Sequence, residues 1–232
     1  MSREITVALG QMSCRAGDKE HNIETMERMV KRAKKRKADL IAFPELALTG
    51  YVVRDRAYEL AETIPNGPST GRIKEIAEKL NIHIITGIIE RSPRASAVLH
   101  NTAVLISPQG YVGKYQKMYL PTHSVFEEKR YFRPGYQTPV FETRIGRLGM
   151  IICYDVYFPE VSRLLSVKGA KLIVCISDSP SVRRGFFETL TVARAIENTV
   201  FVAFVNLAGI EDGLQFWGGS RMIAPSGSVI SQ

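Results

Sequence analysis

The stretch Leu148-Gly149-Met150-Ile151-Ile152-Cys153-Tyr154-Asp155-Val156-Tyr157-Phe158-Pro159-Glu160 decides how this chain is read. Its opening apolar run has the length of a buried strand, stops at a cysteine and turns through Phe-Pro. A strand that ends on a thiol holds a nucleophile on a rigid support, with backbone N–H groups free beside it. Two other polar groups arrive in the same way. Glu45 ends the run Leu40-Ile41-Ala42-Phe43-Pro44, and Lys117 follows Gly110-Tyr111-Val112-Gly113-Lys114-Tyr115-Gln116. A carboxylate, an ammonium and a thiol at strand ends suggest a cysteine hydrolase without a histidine base. A thiol near neutral pH is mostly protonated and needs a base. Glu45 can serve if a desolvated site lifts its pKa. Lys117 and the Tyr154 N–H would then sit where negative charge develops on a carbonyl oxygen. Taken singly, Glu45 and Lys117 read as structural residues, and the sequence by itself does not bring the three together.

Hydrophobic periodicity extends this pattern along the chain. Residues 5–12 read as a first strand. Residues 19–37 read as a helix, with Ile23, Met26, Val30 and Ala33 on one stripe. A short strand at 39–43, a helix at 69–80 (Ile73, Ile76, Ala77, Leu80) and an isoleucine-rich strand at 82–89 follow. Residues 102–107 and 111–116 form a hairpin around Pro108-Gln109-Gly110. Strands are expected at 139–144, 148–152, 172–176 and 200–206, with helices at 160–168 and 183–198. A last hairpin begins at 220–224 and 228–230. Strands alternate with helices near the ends and pair as hairpins in the middle. That indicates a layered α/β domain with parallel and antiparallel pairs, and one domain spanning 1–232.

Bulk properties exclude several classes. With 232 residues, 45% of them hydrophobic, the chain suits one substantial core. No apolar stretch approaches a membrane span of roughly 20 residues. Residues 1–5 enter a strand-like pattern without a signal-peptide core, so a cytoplasmic location is expected. Three widely spaced cysteines, Cys14, Cys153 and Cys175, form no CxxC pair, which argues against a zinc ribbon or disulfide scaffold. Cys175, inside an apolar strand, reads as core. The net charge of +8 is concentrated at Lys31-Arg32-Ala33-Lys34-Lys35-Arg36-Lys37. The solvated C-terminal end of a helix explains that run better than a nucleic-acid surface does. No metal-ligand spacing or glycine-rich phosphate loop is present, so neither a metal nor another cofactor is called for.

The motifs also resemble a known family. Residues 43–51 (FPELALTGY), 113–121 (GKYQKMYLP) and 152–160 (ICYDVYFPE) look like the three signatures of the nitrilase superfamily of carbon–nitrogen hydrolases, in the order Glu, Lys, Cys. Asn101-Thr102-Ala103, residues 126–135, Ala193-Arg194-Ala195-Ile196-Glu197-Asn198 and Gly218-Gly219-Ser220-Arg221 resemble further segments of that family. The resemblance implies an α-β-β-α sandwich and a Glu45–Lys117–Cys153 triad. It also implies that Glu128, beside Glu127, positions substrate or assists proton transfer; from its surroundings alone Glu128 reads as a surface charge.

The implied reaction cleaves a small linear amide or N-carbamoyl amine through a cysteine thioester. The alternative is a catalytically silent relative acting as a binding or scaffold subunit, with a nucleic-acid binder and a redox thiol protein as remoter readings. Cys-Tyr-Asp before Phe-Pro-Glu resembles the amidase-like branches rather than nitrile hydrolysers. Candidate substrate contacts are Tyr51, His123, Tyr154, Tyr157 and Asp178. Tyr157 stands where relatives that cleave dicarboxylic monoamides often carry arginine, which weakens the case for an acidic substrate. Asp178 suits an amine-bearing substrate or, equally, the turn and N-cap before 183–198. His123, in a loop near the site, reads as an ordinary histidine within reach of substrate rather than a base. Phe186, Leu190, Ala193 and Glu197 share one face of the last long helix, and the resemblance implies a homodimer or larger homo-oligomer through that region. Relatives also continue beyond the point matching Gln232, so a truncated C-terminal part is expected.

Overall fold

A computed structural model describes residues 4–123 and 126–232. The expected passage of residues 1–3 into a strand pattern lies outside the described residues, as do residues 124–125 of the loop after Lys117. The first sheet runs in chain order: β1 (Val7–Leu9), β2 (Leu40–Ala42), β3 (His83–Arg91), β4 (Leu99–Ser107) and β5 (Gly110–Gln116). β1, β2 and β3 are parallel, while β3, β4 and β5 pair antiparallel. α1 (Lys19–Lys35) makes the first crossover; α2 (Ala57–Leu60) and α3 (Pro68–Leu80) lie in the second. The short helix α4 (Glu128–Tyr131) separates this half from the next. The second sheet contains β6 (Val140–Thr143), β7 (Gly146–Ile152), β8 (Leu172–Ser177) and β9 (Phe201–Asn206), with α5 (Pro159–Val167) and α6 (Arg184–Asn198) as crossovers. A side hairpin, β10 (Ala208–Glu211) and β11 (Leu214–Trp217), precedes β12 (Arg221–Ile223) and β13 (Val229–Ser231), which complete the order β13-β12-β9-β8-β7-β6.

Strand alternation sorts side chains between two cores. Leu40 and Ala42 of β2 face one core and Ile41 the other. Ala103 and Leu105 of β4 likewise oppose Val104 and Ile106. The outer core collects Ile41, Ile84, Ile88, Val104 and Ile106 under the apolar stripes of α1 and α3. The inner core joins Leu40, Ala42, Ile85, Ala103 and Leu105 to Leu148, Met150 and Ile152 of β7. Val161 and Leu165 of α5 and Phe187 and Ala195 of α6 pack against the second sheet. The result is the four-layer α-β-β-α sandwich with mixed sheets. Among the described residues no helix is long and apolar enough to cross a membrane.

The boundaries differ from expectation where backbone geometry intervenes. The first strand is only three residues long. α1 stops at Lys35, and Lys37 adopts a positive φ of 61°. Arg32, Lys34 and Lys35 occupy its last turn, where cations complement free carbonyls; Lys34 Nζ donates to the Asn81 carbonyl. The β10–β11 hairpin was not foreseen.

Candidate active site

β7 delivers Cys153 to a sharp turn. The nucleophile candidate opens a 3₁₀ turn, Cys153–Tyr157, with φ +45°, an uncommon conformation for a residue with a side chain. Such strain persists only where the surroundings over-determine it. Here Asp155 does so. Its carboxylate accepts the Ile152 N–H at 3.0 Å, the Tyr119 N–H at 2.9 Å and the Tyr115 hydroxyl at 2.8 Å. One buried side chain thus ties the end of β7 to β5 and to the segment after Lys117. The N–H groups opening the turn, that of Tyr154 among them, have no acceptor within it.

Glu45 and Lys117 lie near enough to Cys153 for their charges to act on its thiol. Both are fully buried, and Lys117 Nζ donates to Glu45 Oε1 at 2.6 Å and to Glu128 Oε1 at 2.7 Å. Asn101 Nδ2 donates to Glu45 Oε1 at 2.6 Å, and the Asp178 N–H to Glu45 Oε2 at 3.0 Å. The Lys117 N–H donates to the Asn101 carbonyl at 2.9 Å, so Asn101 fixes both members of the pair. The backbone of β3 presses against Glu45 at Gly87, where a Cβ would lie 2.2 Å from Leu46 N and 2.9 Å from Glu45 Cα. Glycine is required there by close approach.

Electrostatics link the three groups. Burial, followed by the charge of Glu45, pushes the Cys153 thiol well above its ordinary pKa, while Lys117 pulls it down. Burial opposes the charge on Lys117, yet Glu128 and Glu45 outweigh it and hold the ammonium above its usual value. Glu128 is pushed up to about 7, by burial first and against the pull of Lys117. Of the two adjacent glutamates Glu128 is buried and Glu127 exposed, so the surface-charge reading of Glu128 does not hold.

Cys153 opens onto a cavity of about 240 Å³ walled by Phe126, Tyr154, Tyr157 and Phe187, with His123 and Arg183 among its polar groups. His123 is exposed and meets the Tyr154 ring edge-on at 5.6 Å. Tyr51 stands elsewhere: its hydroxyl donates to Glu128 Oε1 at 2.8 Å, and it faces a separate cavity of about 460 Å³ that Glu128 also borders. Asp178 does not line the Cys153 cavity. It is buried behind Glu45, pushed up by burial and then by the charge of Glu45, and both its carboxylate oxygens lack a hydrogen-bond partner. It does not cap the last helix either, because the residue preceding α6 is Arg183. Glu197 finds its partners locally, accepting from Arg194 at 2.8 Å. Among the described residues no group of His, Cys, Asp and Glu could hold a metal ion.

Sequence reasoning missed Asn101 and Asp155 as parts of the site, although both lie inside quoted motifs.

The carbon–nitrogen hydrolase family model matches residues 6–232. The chain belongs to that family. This carbon–nitrogen hydrolase is 33% identical over 230 residues to a nitrilase of Pyrococcus abyssi, covering 98% of this chain and 84% of the relative. It is 32% identical over 226 residues to a probable nitrilase of Schizosaccharomyces pombe, covering 97% and 82%. Among solved structures, an amidase from Nesterenkonia sp. AN1 superposes with a TM-score of 0.89 at 30% identity, covering 98% of this chain and 88% of that one. The hydrolase is an amidase-like enzyme of the nitrilase superfamily.

Proposed function

We propose that this enzyme hydrolyses small linear amides, with Cys153 as nucleophile, Glu45 as general base and acid, and Lys117 as oxyanion stabiliser. The observation that carries the reading is that Cys153 opens onto one small cavity while the buried Glu45–Lys117 pair lies near enough for both charges to act on its thiol. The thiol is neutral at rest, so attack requires proton transfer as the C–S bond forms. Glu45 accepts the thiol proton while the sulfur adds to the amide carbonyl. The Lys117 ammonium and the Tyr154 N–H receive the developing oxyanion, where fixed donors cost no reorganisation. Glu45 then returns the proton to the departing nitrogen, the C–N bond breaks and ammonia leaves a thioester. Water, deprotonated by Glu45, adds to the thioester. The sulfur departs, takes back its proton, and the carboxylic acid is released.

Glu128 acts through Lys117 and Tyr51, fixing the ammonium's direction. Tyr154 and Tyr157 form the apolar walls, and His123 borders the mouth. The cavity lies below the roughly 300–1,000 Å³ typical of ligand pockets, which favours a short substrate. In a Glu-to-Gln mutant of the Nesterenkonia amidase, acrylamide adds to the active-site cysteine, which supports the same position for the nucleophile here. Exposed Leu164, Val167, Phe186 and Ile196 on α5 and α6 support a homodimer through that face. The test is ammonia release across a panel of aliphatic amides and N-carbamoyl amines. Turnover is expected for the enzyme and not for Cys153→Ala; undiminished release by that variant contradicts the assignment.

A further inference from the structure

We propose that Arg183 forms an anion subsite across the cavity from the nucleophile, selecting short amides that carry a carboxylate remote from the scissile bond. The inference deepens, and rests on, the reading of Cys153 as the attacking group.

Arg183 and Cys153 border the same cavity of about 240 Å³. In so small a space the two ends of a short substrate reach both. The walls between them are largely aromatic: Phe126, Tyr154, Tyr157 and Phe187. A guanidinium on such a wall gains most from a carboxylate that meets its planar fork with two hydrogen bonds. Among the described residues no carboxylate pairs with Arg183, although its neighbours are all engaged. Arg184 and Arg221 share Glu188, and Arg194 bonds Glu197. Arg183 is the cation in this cluster left without an acid. Its guanidinium lies 5.6 Å from the ring centroid of Phe186, a stacking contact that orients the fork without neutralising it.

The charge layout gives the substrate a direction. The charges of Glu45 and Glu128 act on Cys153, so they disfavour an anionic tail at that end. Arg183 favours it at the other. The first turn of α6, which begins at the next residue, contains no acidic residue and no side-chain cap, so its positive end adds to the same field. Tyr157 borders the same cavity; burial pushes its hydroxyl up to about 12, and the charge of Arg183 pulls against that rise. The expectation that Tyr157 disfavours an acidic substrate considered only the turn after the nucleophile; Arg183 reaches the cavity from the segment before α6.

The test compares kcat/KM for succinamate and its uncharged counterpart butyramide in the enzyme, Arg183→Gln and Arg183→Lys. Succinamate is expected to be favoured on the order of tenfold or more, as for a charged hydrogen bond. Arg183→Gln should erase most of that ratio, and Arg183→Lys should keep part of it. The same ratio in the enzyme and Arg183→Gln, or an equal loss for both amides, overturns the subsite while leaving the amidase reading intact. Protection of Cys153 from iodoacetamide by each compound reads the subsite without turnover. If neither amide is hydrolysed but succinamate alone protects, and Arg183→Gln abolishes that protection, the subsite stands and the amidase reading falls. Equal protection by both compounds overturns the subsite.

Discussion

Lys117 Nζ lies 2.6 Å from Glu45 Oε1, and neither side chain touches solvent. A buried pair of this kind adds little net stability, yet breaking it leaves a charge uncompensated. Lys117→Met would strand Glu45 and Glu128 beside each other without a cation. It is expected to destabilise the fold by about 3–5 kcal/mol and to abolish turnover. Glu45→Gln should also abolish turnover at a smaller stability cost, since the lysine keeps Glu128. Urea unfolding of the two variants checks the order; equal stabilities would contradict the counter-ion role.

Glu128 makes stability depend on pH. Its carboxyl is pushed up to about 7 in the folded protein from an ordinary 4.5, chiefly by burial. Between those values the folded state binds more protons than the unfolded chain. This group therefore lowers stability as pH rises from about 4.5 to about 7, and its penalty is complete above that window. The stability difference between the enzyme and Glu128→Gln should move in the enzyme's favour on going from pH 7.5 to pH 5. A difference that is flat or reversed would show that the carboxyl is ionised throughout.

Asp155 is expected to control the geometry of Cys153, the proposed nucleophile. Asp155→Asn keeps an acceptor but turns an NH₂ group toward groups that are themselves donors. A loss of about 1–3 kcal/mol is expected from the unsatisfied donors. The positive φ of Cys153 should relax, lowering kcat more than raising KM, because a displaced sulfur misses its near-attack position. An unchanged kcat with the stability loss present would reduce Asp155 to a structural residue.

Much of this arrangement was legible in the sequence because its elements are strongly periodic. Ile23, Met26, Val30 and Ala33 mark a helix stripe, and the runs ending at Glu45 and Cys153 mark strands buried on both faces. The β10–β11 hairpin carries a signal in the sequence too. Asp212-Gly213 is a two-residue turn signal, and both residues have positive φ. Glu211, on that hairpin, accepts the N–H groups of Tyr51 and Val52 and so fixes the loop that carries Tyr51. The burial of Asp178 and Glu128 was not legible, because Asp178 is brought against Glu45 from far along the chain and Glu128 opens a four-residue helix that turns it onto Lys117 and Tyr51. Arg183 gave no local signal either, since its meaning comes from which neighbouring acids are already taken.

Two glycines should respond oppositely to alanine. Gly87→Ala places a methyl 2.2 Å from Leu46 N and forces the Glu45 backbone to move. A destabilisation of about 1–3 kcal/mol with a large loss of kcat is expected. Gly71, inside α3, has nothing within 4 Å of the new Cβ, so Gly71→Ala should stabilise by about 0.5–1 kcal/mol. Thermal unfolding and amide turnover of both variants check the contrast. Tolerance of alanine at Gly87 would mean that the β3 backbone does not set the position of Glu45.

The central claim, that Cys153 carries the acyl group, is tested most directly by rapid-quench mass spectrometry during amide turnover. The account predicts an acyl mass increment on the peptide containing Cys153, formed before ammonia release levels off and absent from Cys153→Ala. Steady ammonia release with no increment on that peptide, or with the increment on another residue, would contradict it.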